Sequence, residues 1–292
     1  MATVDRCLLT VDKKKNNMKK NLIALVCVVA SLMSLTSCFE PVGYSYNSTF
    51  SRIVTIDRSK TPLELVADYS NERFKLENLT MPEQLSKYGL QDTERAFVTI
   101  NLQVDNAYKQ TFTFVEGKPL TVCPVWNKPL PENATIHPLS GLQNFQVETA
   151  WSYPTVWLAG SYVNIVPVIE SLGSGTYYLQ PNTVYGDTLR FDIKAAFTPT
   201  DKKEYVADFV NFDLRTLTDT LEADEATRGV VRNMLDVIAA KDSVCMMIVG
   251  DFHDTYYKVD TLADGTVKYE QRDTIGKYPA FTNYARLKAL VK

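Results

Sequence analysis

Asp251 and His253 stand two apart in Asp251-Phe252-His253-Asp254, and on a strand their side chains share one face. That spacing could begin a metal site, or a base held by an orienting carboxylate. The sequence offers no third partner, so a polar strand end is the reading preferred here. The other histidine, His137, precedes Pro138 in a proline-rich stretch. No GxSxG, HExxH or phosphate loop with its lysine occurs, and Gly173-Ser174-Gly175 is too short to cradle a phosphate. Carboxylates paired only through space leave a glycan hydrolase as a third reading. A second cluster is aromatic. Trp151, Tyr153 and Trp157 share a face if the chain is extended. Exposed, they would stack on sugar rings, as in a glycan-binding protein. Buried, they are core, which is the more usual use of large aromatics. No catalytic residue, metal or cofactor is expected, and the chain reads as non-catalytic.

The most specific chemistry is that of Cys38. Lys19 and Lys20 precede an apolar run from Leu22 to Leu35, broken only by small residues, which ends in Leu35-Thr36-Ser37-Cys38. The run suits a signal peptide and falls short of the roughly 20 residues a membrane span needs. The whole resembles a bacterial lipoprotein signal. Small residues let the backbone enter a peptidase cleft, and the Cys38 thiol takes diacylglycerol before cleavage. Two or more acyl chains then hold the protein stably, at about 0.8 kcal/mol per buried CH₂. Residues 1–17 read as a mis-called upstream extension, 18–37 as the signal peptide and 38–50 as a Tyr/Asn/Ser tether. Of five cysteines, Cys38, Cys123 and Cys245 lie beyond the leader. The last two are expected as separate buried thiols rather than a bridge.

Without residues 1–37, which carry six basic and two acidic side chains, 25 basic and 32 acidic remain, a net charge of −7. Such a chain does not seek nucleic acid by charge.

Past the tether the chain is patterned for strands. Ile53–Ile56, Pro62–Val66 and Arg73–Leu76 are short runs. Pro82–Tyr88 is a short helical piece, with proline in its first turn and Gly89 as its stop. Val98, Ile100, Leu102 and Val104 then alternate with polar residues, and Phe112 and Phe114 repeat the pattern. Three strands, a short helix and two long strands is the order of an OB-like barrel. Four prolines between Cys123 and Gly141 predict a failure of strand pairing and a domain boundary, giving 51–141 and 142–292. Beyond it, Tyr162–Ile169 is apolar on both faces, as in a strand between layers. Phe191–Phe197 and Val210–Leu214 alternate. Asp224–Lys241 has helical spacing and acidic residues at its start. Val244–Val249 reads as a core strand. Asp264-Gly265 is expected to turn a hairpin, Thr255–Leu262 with Thr266–Thr274, placing Asp260 opposite Tyr269 and Tyr257 opposite Arg272. The fold class is mainly β: an OB-like barrel, then a β-sandwich with one packed helix.

Five triplets, beginning at Asp187, Asp219, Asp242, Asp260 and Asp273, read Asp, hydroxyl, aliphatic. They are similar to an O-glycosylation acceptor motif of Bacteroidota envelopes, and also read as turn residues ahead of strands.

Ile53–Ile56, Pro62–Asn78, Glu94–Val104 with Gln110–Val122, Gly160–Ile169 and Val210–Leu217 together resemble the NigD-like lipoproteins of Bacteroidota. The resemblance implies an N-terminal OB-like domain, a C-terminal β-sandwich and an envelope lipoprotein, with no mechanism attached. The helix Asp224–Lys241 and the long hairpin depart from the pattern. Glu40 alone follows Cys38, without the acidic cluster of a surface-export signal, so the periplasmic face of the outer membrane is expected. The leading expectation is therefore a lipid-anchored protein that presents two β domains to an envelope protein partner through the hairpin.

Overall fold

The computed structural model describes residues 45–132, 134–148, 151–170, 175–197, 205–261 and 266–291. Cys38, its leader, most of the tether and the Asp264-Gly265 turn lie outside the described residues. The contacts within the chain divide it into two units, residues 1–48 with 103–111, and residues 49–102 with 112–292. In the first unit, Asp105 closes a tight turn. Its carboxylate accepts from the backbone N–H groups of Ala107 (2.8 Å) and Lys109 (2.9 Å), which fixes the chain reversal.

The described chain opens with strands β1 (Tyr46–Asp57), β2 (Glu64–Ala67), β3 (Arg73–Lys75), β4 (Arg95–Val104) and β5 (Gln110–Pro119), ordered β3-β2-β1-β4-β5. A parallel bridge between Leu76 and Phe112 brings the two ends of that sheet together. Asn78 extends the closure by exchanging two 2.8 Å hydrogen bonds with the backbone of Phe114. A curled sheet with this order and closure is the OB-like barrel. Its core is built by alternation: Ala96, Val98 and Ile100 point inward from β4 to meet Val54, Ile56, Leu65 and Phe74. The Pro82–Tyr88 turn is a 3₁₀ helix that buries Leu85. The Gln84 side chain accepts from the Met81 N–H at its start, and Gly89 ends it at φ 67°. Strand β1 begins at Tyr46, inside the stretch expected as tether. Its first residues are exposed, so they carried no apolar periodicity to announce a strand.

The proline-rich stretch does not fail at pairing, as the sequence suggested. It supplies β6 (Val122–Pro124), β7 (Ile136–His137) and β8 (Gly141–Leu142). β6 and β8 take edge positions in their sheets, where a missing N–H costs no ladder bond. The ribbon β9 (Phe145–Glu148) and β10 (Trp151–Tyr153) comes next, then β11 (Val156–Ala159), β12 (Tyr162–Ile165), β13 (Pro167–Glu170), β14 (Gly175–Tyr185), β15 (Thr188–Phe197), β16 (Tyr205–Ala207), β17 (Val210–Asp213), α1 (Glu225–Ala240), β18 (Cys245–Thr261) and β19 (Val267–Phe281). One sheet runs β11-β12-β17-β6, another β14-β15-β18-β19, and a third β16-β13-β8. Val163, Ile165 and Phe212 from the first meet Leu189, Phe191, Ile193 and Ile248 from the second in one core, which makes the β-sandwich.

Helix α1 lays Val231, Met234 and Ile238 on that core. Asp224 caps it by accepting from the Thr227 N–H at 2.7 Å. Among the described residues no helix is long and apolar enough to cross a membrane.

β18 runs unbroken from core strand into hairpin, where the sequence suggested two pieces. Its register with β19 is shifted by one residue from the expected one: Asp260 faces Lys268 and Tyr257 faces Gln271. Among the residues of that hairpin whose side chains are described, both faces are exposed, so burial does not select a register.

Candidate functional site

The sheet β11-β12-β17 is buried on both faces, as the apolar run Tyr162–Ile169 implied for its middle strand and as the alternation of Val210–Leu214 did not. Odd and even residues part company: Val163 and Phe212 enter the sandwich, while Asn164 and Asn211 face the barrel and are fully buried. Opposite them, β4 presents Arg95, with no exposed surface. Its Nη1 and Nη2 each donate to one oxygen of Asp68 at 2.5 Å. Nη1 also donates to Thr55 Oγ1 (2.8 Å), and Nη2 to Asn164 Oδ1 (2.9 Å) and Asn211 Oδ1 (3.3 Å). The guanidinium lies over the Tyr162 ring at 4.8 Å. A charge taken out of water is tolerable only when paired and fully hydrogen-bonded, and these partners come from both β modules. The Arg95 cluster therefore fastens barrel to sandwich.

Tyr153 and Trp157 belong to this junction. Both are buried, at 1% and 0% exposure, and their rings stack at 4.8 Å. Trp157 Nε1 donates to Asp68 Oδ2 at 3.0 Å, and the Tyr153 hydroxyl accepts from the Ile53 N–H at 3.2 Å. The platform for sugar rings is thus corrected: these two aromatics pack and satisfy buried polar groups, and neither can reach a ligand. The side chain of Trp151 lies outside the described residues.

Beside the cluster opens a cleft of about 630 Å³, lined by Asp57, Arg58, Asn71 and Arg73 from the barrel side and by Gly160–Tyr162 and Arg215 from the sandwich side, with Glu94 between. Arg215 pairs with Asp213 at 2.7 Å and with Glu94, which also accepts from the Tyr162 hydroxyl. Arg73 donates to Glu64 (2.8 Å) and Asp57 (3.3 Å). Arg58 Nη2 is held by the carbonyls of Leu90, Gln91 and Thr93.

The electrostatics arise from these contacts. The hydrogen bond from Arg215, then that from Tyr162, holds the Glu94 carboxyl below the usual carboxylate range. Burial, then the Glu94 contact, pushes the Tyr162 phenol well above its ordinary value. The Ser59 hydroxyl and, secondarily, Arg73 hold Asp57 down. At neutral pH the two carboxylates are ionised and the phenol is protonated, an arrangement suited to polar recognition rather than proton transfer.

The other sequence candidates are not drawn together. Asp251 is half-exposed and pairs with Lys277 at 3.8 Å, and the exposed His253 of β18 stands across from Ile275 of β19. Among the described residues no group of three His, Cys, Asp or Glu side chains is placed to hold a metal. Cys123 and Cys245 are free thiols, and burial raises the first. Of the Asp-hydroxyl-aliphatic triplets, Thr274 is exposed and Thr188 half-buried, while Thr261 has no described side chain. Arg95, Asp68 and Arg215 escaped the sequence reading. The available signal was Asn164, an amide set inside the run Tyr162–Ile169, otherwise apolar on both faces.

No protein-family model and no curated protein matches the sequence. Solved structures do. A candidate lipoprotein from Bacteroides fragilis aligns over 82% of this chain and 99% of its own, at 9% identity and a TM-score of 0.48. A candidate toxin-related protein from Parabacteroides distasonis aligns over 79% and 93%, at 13% identity and 0.41. The chain is similar as well to a NigD-like immunity protein from Bacteroides caccae, over 78% of this chain and 96% of that one, at 10% identity and a TM-score of 0.37.

Proposed function

We propose that this protein is a non-catalytic lipoprotein, held by acylated Cys38 on the periplasmic face of the outer membrane, which presents two β domains to a protein partner. The anchor is supported by Leu35-Thr36-Ser37-Cys38 and the apolar run before it. The partner contact is the β18–β19 hairpin, and its exposure carries the reading. Val259, Val267 and Ile275 are 56%, 45% and 59% exposed, among the charges of Lys268, Glu270 and Arg272. β19 is also the last strand of its sheet among the described residues. Apolar side chains held out on an edge mark an interaction surface. With a net charge of −7 beyond the leader, nucleic acid is not the partner. The test is crosslinking in intact cells, comparing the native chain with one in which residues 255–274 are replaced by a short turn. Loss of a specific crosslinked species in the variant supports the reading; an unchanged set contradicts it.

A further inference from the structure

The cleft at the barrel–sandwich junction is untouched by the hairpin and carries a site of its own. We propose that it binds a hydroxyl-rich small molecule or chain end bearing an oxyanion, a carboxylate or a phosphate. At about 630 Å³ it has the size of a ligand pocket. Three guanidiniums reach it from separate parts of the chain, and each is held at one end only. Arg58 spends Nη2 on three carbonyls, Arg73 spends Nη1 on Asp57 and Glu64, and Arg215 spends Nε and Nη2 on Asp213, Glu94 and Tyr162. Arg58 Nε and Nη1, Arg73 Nε and Nη2, and Arg215 Nη1 donate to no other described residue. Arginines fixed in this way lose little rotamer freedom on binding, and their forks match planar or tetrahedral oxyanions. Each anchoring carboxylate already spends at least one oxygen on these arginines, which leaves those five guanidinium nitrogens for a ligand. Asp57 and Glu94 offset two of the three positive charges of the wall. With Asn71, Ser59 and Ser161 they suit a ligand rich in hydroxyls and disfavour a naked polyanion.

The test is calorimetric titration of the chain from residue 38 onward with oligogalacturonate, a hexose phosphate and neutral maltotriose. Saturable binding of either acidic probe, with maltotriose at least about tenfold weaker, is the expected result, and the probe that binds identifies carboxylate or phosphate as the anion. Arg73→Ala and Arg215→Gln are each expected to weaken it about tenfold or more. Amide shifts in the native chain supply a second readout that does not depend on a variant folding: they should move at Asn71 and Ser161. Replacing the hairpin leaves this binding intact, so its failure is separate from failure of the partner reading. Absence of saturable binding by both acidic probes, equal affinity for maltotriose, unchanged affinity in both variants, or shifts confined to other residues would each overturn the site.

Discussion

Arg95 and Asp68 meet as a two-pronged ion pair whose side chains are 0% and 1% exposed, one on the fourth strand and the other just past the second. Because Asn164, Asn211 and Trp157 converge on the same pair from the sandwich, removing one charge strands the other in a dry junction. Asp68→Ala is therefore expected to destabilise folding by about 3–5 kcal/mol. Arg95→Met added to Asp68→Ala should recover part of that loss, since no lone charge then remains buried. Urea unfolding of the three chains measures both. A loss under about 1 kcal/mol for Asp68→Ala would mean that water reaches the guanidinium.

Two phenols should limit stability in alkali. Tyr162 and Tyr177 both have pKa values raised by burial first, then by hydrogen bonds to Glu94 and Asp208 respectively. A folded pKa above the unfolded value means stability fully present below about pH 10. It is lost as pH rises from there toward the folded values, because the unfolded chain releases protons that the folded chain retains. Phenolate absorbance followed alongside circular dichroism should show two tyrosines ionising only as the fold is lost. Tyr177→Phe should flatten the alkaline decline. Ionisation of all tyrosines in a single early step, with the fold intact, would contradict this.

Much of the architecture was legible because burial leaves periodic marks. Val98, Ile100 and Phe191–Phe197 announced one-sided strands. Val231, Met234 and Ile238 announced the packed helix, and Pro82 and Gly89 bracketed the 3₁₀ turn. Illegible parts had their cause in tertiary contact. Arg95 sits in an alternating strand where a lone arginine reads as solvent-facing, and only the second module lying against that face buries it. The pairing of β6 and β7 depends on partners some 60 to 90 residues away, Ala195 for His137 and Phe212 for Cys123, which local proline content does not reveal. The hairpin register slipped because neither face is anchored in a core. The arginine cleft is assembled from segments between Asp57 and Arg215, so no local motif contains it.

Gly89 tests a local claim. Its φ of 67° lies in the left-handed region, and a Cβ there meets nothing within 4 Å, so a side chain costs backbone strain alone. Gly89→Ala is expected to destabilise by about 1 kcal/mol, a fall of roughly 2–4 °C in Tm for a chain of this size. An unchanged Tm would show that the 3₁₀ helix ends without that conformation.

Everything proposed about place and partner rests on Cys38 as a lipid-bearing amino terminus. Mass spectrometry of the protein purified from its native membrane measures this directly. The expected species begins at Cys38 and carries diacylglycerol on its thiol, with a further acyl chain on the new amino group. A chain still bearing residues 18–37, with position 38 as a free thiol, would contradict the account.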